Sequence, residues 1–135
     1  MLPRLWGSGK FSSLDTKSLE YLHTLGVDFI WLTGIIRHAS RGETPQKAVK
    51  GDAGSPYAIL DYYDVNPYLA DNADDRMAEF EHLLKRIHDS GFKAIIDFVP
   101  NHVAREYKGL TAPAGVRDLG ADDDKSEHWK DDNDF

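Results

Sequence analysis

Gly91-Phe92-Lys93-Ala94-Ile95-Ile96-Asp97-Phe98-Val99-Pro100-Asn101-His102 is the stretch that decides the fold. The glycine stops whatever precedes it, and the run to Val99 has the apolar content of a buried strand. Ahead of it, Asp74 or Asp75 opens a helix whose inner face carries Phe80, Leu83, Leu84 and Ile87 at helical spacing. The same grammar occurs once more upstream. Ser12 or Ser13 is the expected cap, with Asp15 favourable in the first turn. Leu14, Tyr21, Leu22 and Leu25 then share a face, Gly26 ends the helix, and Val27-Asp28-Phe29-Ile30-Trp31-Leu32 follows as a strand. Two successive units of this kind predict an α/β fold. Parallel strands over 27–33 and 93–99 form one sheet, covered by helices near 13–25 and 75–90.

Residues 33–73 form a connection far longer than the usual handful of residues. It contains Gly42, Pro45, Gly51, Gly54, Pro56 and Pro67, which argue against helix through most of it. Long loops beyond the C-terminal ends of parallel strands are where such folds keep their ligands.

The 135 residues carry 16 Lys+Arg, 23 Asp+Glu and no cysteine. Disulfides, thiol catalysis and cysteine-based zinc sites are therefore excluded. The net charge of −7 gives no general attraction to nucleic-acid backbones or anionic lipid. No stretch approaches the ~18 consecutive apolar residues of a membrane span. The opening Met1-Leu2-Pro3-Arg4-Leu5-Trp6 lacks the apolar run of a secretion signal. Most of the negative charge is local: residues 118–134 hold eight acids against Lys125 and Lys130. The Asp/Gly spacing of an EF-hand is absent from this tail, which reads as a solvated acidic end.

Polar groups gather where the second strand ends. Asp97 lies inside an apolar run, and a carboxylate there is costly unless it is paired or hydrogen-bonded. It can bond backbone amides or a nearby arginine, or it can join Asn101 and His102 in a site at the strand mouth. The loop Gly54-Ser55-Pro56-Tyr57-Ala58-Ile59-Leu60-Asp61-Tyr62-Tyr63-Asp64 is rich in tyrosine. Such rings suit stacking on a sugar, but they equally suit pinning a loop to a sheet, and composition singles out none of them.

These residues together resemble a known family. Leu25-Gly26-Val27-Asp28-Phe29-Ile30-Trp31-Leu32-Thr33-Gly34-Ile35 is similar to the second-strand signature of the α-amylase family of glycoside hydrolases. Ser55 to Pro67 resembles the loop that follows. Glu79-Phe80 through Lys93, leading to Asp97-Phe98-Val99-Pro100-Asn101-His102, resembles the next helix and the region written D-x-x-x-N-H. Each match is weak alone; together, in order over about residues 4–107, they are specific.

The resemblance implies part of a (β/α)8 TIM barrel, about its first three βα units, with the start of an inserted domain. Leu2 to Trp6 would be the tail of strand one, 27–33 strand two and 93–99 strand three. Residues 1–104 would be the partial barrel, and 105–135 the start of the inserted domain with its acidic tail. A whole barrel needs roughly 200 residues or more, so this reading expects a fragment of a longer enzyme.

The implied chemistry is retaining hydrolysis of α-glucans or α-glucosides by a carboxylate nucleophile and a carboxyl acid/base. Those groups follow strands four, five and seven in the family and would lie beyond Phe135, so no catalytic residue is expected in this chain. By resemblance, Tyr57 is the platform under the sugar and His102 donates hydrogen bonds to its hydroxyls. Asp97 supports the site floor, and Asn101 offers an amide oxygen to Ca2+. An acid often found just before the stacking tyrosine is replaced here by Gly54-Ser55-Pro56, which leaves linkage preference open. The alternative is a non-catalytic amylase-fold protein that binds a sugar or a partner. Tyr57 and His102 favour the enzyme, since a degenerate site has no need of subsite contacts.

Overall fold

The computed structural model describes residues 1–40 and 54–124, together with Ser126, Asp131 and Asn133. Gly42, Pro45 and Gly51 of the long connection lie outside the described residues, as do Lys125, Glu127, Lys130, Asp132 and Asp134 of the acidic tail.

Helix α1 spans Thr16–Thr24. Its cap is Asp15, whose Oδ1 accepts the Ser18 N–H at 2.9 Å; Ser12 and Ser13 belong instead to a 3-10 turn over Phe11–Ser13. The inner face is Leu19, fully buried, with Leu22 packed beside it. Tyr21 and Leu25 are exposed, contrary to expectation. Leu14 is buried but precedes the helix, so a period counted from it is out of phase with the true face. Gly26 ends the helix at φ 70°, a left-handed conformation that suits glycine.

Helix α2 spans Arg76–Asp89. Before it runs a 3-10 turn, Ala73–Asp75, capped by Asn72, and Asp75 then opens α2 as expected, without a side-chain cap bond. Phe80, Leu83 and Ile87 are buried along one side as the spacing requires, with Leu84 half-buried against them.

Strand β1, Phe29–Leu32, pairs in parallel with the last strand, Lys93–Ile96, in the register Phe29↔Lys93 to Leu32↔Ile96. Ile30 and Leu32 face the core with Leu19, Phe80, Leu83, Ile87 and Phe92. The strands are shorter than 27–33 and 93–99, although the Asp97 N–H still reaches the Leu32 carbonyl at 3.1 Å. They are also not covered on both faces among the described residues. Phe29 (54% exposed), Trp31 (55%) and Ile95 (39%) form a bare apolar side.

The tail assigned to strand one is corrected too. Pro3–Leu5 is a 3-10 turn with proline at its start, and the Thr33 N–H meets the carbonyl of Met1 at 2.9 Å.

The long connection contains an unforeseen antiparallel ribbon. Its strands are β2, Ile36–His38, and β3, Ile59–Val65, with a bulged register. The strand Lys93–Ile96 is therefore β4. Gly54 lets the chain re-enter this ribbon: φ is +64°, and a Cβ there would fall 1.8 Å from the Ala39 carbonyl oxygen.

Candidate active-site wall

The Tyr57 turn is set by the ribbon. The Ala39 N–H bonds the Ala58 carbonyl at 2.9 Å, and the Ala58 N–H closes the turn onto the Ser55 carbonyl at 3.1 Å. The Tyr57 N–H reaches Ser55 Oγ at 3.3 Å, and the Tyr57 side chain stands 46% exposed. It is not buried, as a ring pinning the loop to the sheet would be.

Asp97 directly follows β4, half-buried, and its carboxylate makes no hydrogen bond or ion pair among the described residues. Asn101 and His102 are exposed and joined: Asn101 Nδ2–H donates to His102 Nδ1 at 2.6 Å. A neutral ring that accepts there at Nδ1 carries its proton on Nε2. Tyr57 and His102 share no hydrogen bond or ring contact among the described residues.

Calcium takes six to eight oxygens. No group of three or more acids or histidines suited to a metal occurs among the described residues.

The polar framework around this wall was not anticipated. Asp61, 1% exposed, accepts the Tyr63 N–H at 2.9 Å, the Leu110 N–H at 3.0 Å and Thr111 Oγ1 at 3.3 Å. Asp64 is buried and bonded by Arg37, Arg76 and the Val65 N–H. Burial pushes its carboxyl up, but the hydrogen bonds from Arg76, Arg37 and Val65 outweigh that and hold it below the usual carboxylate range. His38 and Asn66 form a buried pair, with Asn66 Nδ2 3.0 Å from His38 Nε2. The available signal was the placing of Asp61 and Asp64 in an otherwise apolar and aromatic run, which demands partners for both.

Further along, Tyr107 donates to Asp118 at 2.7 Å. Burial, then the Asp118 hydrogen bond and charge, push the Tyr107 hydroxyl well above the ordinary tyrosine range. For Asp118, burial acts upward, but bonds from Tyr107 and the N–H groups of Gly109 and Leu119 prevail and lower it.

A parallel strand pair, each strand preceded by a helix on the same face, with long excursions past the C-terminal strand ends, is the architecture of a (β/α)8 barrel segment. Residues 8–130 match the family model described as alpha amylase, catalytic domain. The chain belongs to the α-amylase family.

Among curated relatives, the alpha-amylase MalA of Haloarcula japonica is 35% identical over 94 residues, 68% of this chain and 11% of that protein. The amino acid transporter heavy chain SLC3A1 of Rattus norvegicus is 30% identical over 101 residues, 75% of this chain and 12% of that protein. The trehalose-6-phosphate hydrolase of Bacillus subtilis is 35% identical over 102 residues, 76% and 15% respectively. The crystal structure of an alpha-amylase from Lactobacillus plantarum superposes with a TM-score of 0.65 at 31% identity, covering 79% of this chain and 23% of that one. That fit makes the fold part of a TIM barrel. The chain spans less than a fifth of the length of these curated relatives.

Proposed function

We propose that this chain forms one wall of the sugar site in a retaining α-glycoside hydrolase acting on α-glucans or α-glucosides. Tyr57 is the stacking platform, and His102 donates from Nε2 to hydroxyls of the same sugar. Asp97 supports the floor between them. The catalytic nucleophile and acid/base are assigned to segments outside these 135 residues, and 105–135 to the start of the inserted domain. The Asn101 amide oxygen would be one calcium donor among several, the rest lying outside the described residues.

The observation that carries this reading is the family match over residues 8–130 in a chain that keeps both Tyr57 and His102 exposed on successive loops. Stacking and hydroxyl contacts of this kind have value only if a sugar is bound there. The test is hydrolysis of maltooligosaccharides by the whole protein, followed as new reducing ends. Turnover supports the reading, and its absence over a panel of α-linked oligosaccharides refutes it.

A second reading, an amylase-fold protein that binds a partner without hydrolysis, is favoured by one finding: the transporter heavy chain among the relatives. The two readings separate at the Asp and Glu positions after the fourth, fifth and seventh strands of the whole protein. Loss of those carboxylates would select the second.

A further inference from the structure

The Asn101-His102 loop leaves the sheet at Asp97 and is next tied to the fold at Ala104, whose N–H donates to the Ile59 carbonyl at 2.7 Å. Between those points, among the described residues, one hydrogen bond joins the loop to another element: the Tyr62 hydroxyl donates to the Val99 carbonyl. The Tyr62 ring also lies against Phe98, with centroids 5.5 Å apart, and against Tyr107 at 5.6 Å. One β3 side chain therefore grips the chain on both sides of Asn101-His102. Beyond it, Lys108 N–H continues the clamp onto the Leu60 carbonyl at 2.9 Å. The same strand begins two residues after Tyr57. Burial raises the Tyr62 hydroxyl above its ordinary value, so it stays protonated and able to donate through the neutral range.

The geometry points to Tyr62 as a positioning residue that fixes the Asn101-His102 loop relative to the Tyr57 turn. Its kinetic consequence rests on the glycosidase reading; the positioning itself does not. An exposed loop held by few bonds samples many arrangements, and a hydrogen-bond donor displaced by about 1 Å can cost up to a hundredfold in rate. Tyr62 touches no substrate under this assignment and acts through His102.

The experiment compares Tyr62→Phe and Tyr62→Leu with the parent in the whole protein. Phe removes the bond to Val99 and keeps the ring contacts; Leu removes both. The first measurement is the His102 ring signal in 1H–13C NMR, identified by its loss in His102→Gln, with His23 as a reference. His23 stacks on Phe92 with centroids 4.2 Å apart and bonds the Ser90 carbonyl, away from this loop. The His102 signal is expected to shift in Tyr62→Phe and to shift further and broaden in Tyr62→Leu, while His23 stays in place. An unmoved His102 signal in Tyr62→Leu overturns the inference.

The second measurement is turnover of 4-nitrophenyl α-maltoside. Tyr62→Leu should lower kcat about tenfold with KM within about twofold, and Tyr62→Phe should fall between it and the parent. Full kcat in a folded Tyr62→Leu also overturns the inference. If the parent hydrolyses no α-glucoside, the glycosidase reading fails, and the His102 signal alone decides the positioning role.

Discussion

Asp64 receives Arg76 through both carboxylate oxygens, Nε to Oδ1 at 2.8 Å and Nη2 to Oδ2 at 2.9 Å. Arg76 is the first residue of α2, and Arg37 of β2 bonds the same Oδ2 at 3.0 Å. One carboxylate thus fastens the ribbon to the start of the helix. Bidentate geometry and burial of the acid make this pair stronger than a surface ion pair.

Replacing Asp64 with alanine leaves two guanidinium groups facing each other without their shared anion. Urea unfolding should show a loss of about 3 kcal/mol or more, and a loss below about 0.5 kcal/mol would contradict the role. The pH dependence follows from the direction of the shift. The folded-state pKa lies below the unfolded value, so the stabilisation is complete above the unfolded carboxylate pKa of about 3.9. It is lost as pH falls through the lower folded value. Acid unfolding of Asp64→Ala should therefore be less steep than that of the parent over that window.

Leu83 is fully buried in α2 within the cluster that holds Ile30, Leu32 and Phe92. Leu83→Ala should cost about 2–5 kcal/mol by denaturant titration, from lost transfer free energy plus the cavity.

The α/β grammar was legible because each unit of it is local. Gly26 and Gly91 stop helices, and the apolar runs after them pair in parallel. The inner face of α2 was legible for the same reason: Phe80, Leu83 and Ile87 all lie within the helix. The face of α1 was not, because Leu14 is buried from outside the helix and misleads the period. The β2–β3 ribbon stayed hidden because twenty residues separate its strands, so no short turn marks it. Its partners also come from far away: Asp61 is answered by Leu110 and Thr111. Asp97, Tyr57, Asn101 and His102 stood out by residue type and resemblance, but Tyr62, an ordinary loop tyrosine in sequence, did not.

Phe29, Trp31 and Ile95 lie on the open side of β1 and β4, where the strands of a closed barrel would be buried. The 135-residue chain expressed alone should therefore self-associate, with a light-scattering mass that rises with concentration. It should also show no hydrolysis of starch or maltooligosaccharides. A monomer with a sharp, concentration-independent unfolding transition would contradict the first expectation, and turnover would contradict the second.

In the whole protein, Tyr57→Ala and His102→Ala should each lower kcat/KM on α-glucans by about tenfold or more while the fold persists by circular dichroism. The Tyr57 turn is held by backbone bonds and by Ser55, none of which needs the Tyr57 ring. Full kcat/KM in both folded variants would remove these residues from the site.

The proposed function places this wall in a retaining α-glycosidase. The most direct test is the anomeric form of the first sugar released by the whole protein from a maltooligosaccharide, read by 1H NMR before mutarotation. A double displacement through a covalent glycosyl-enzyme returns the α-anomer first, and that is the predicted result. Release of the β-anomer first, or no release at all, would contradict it.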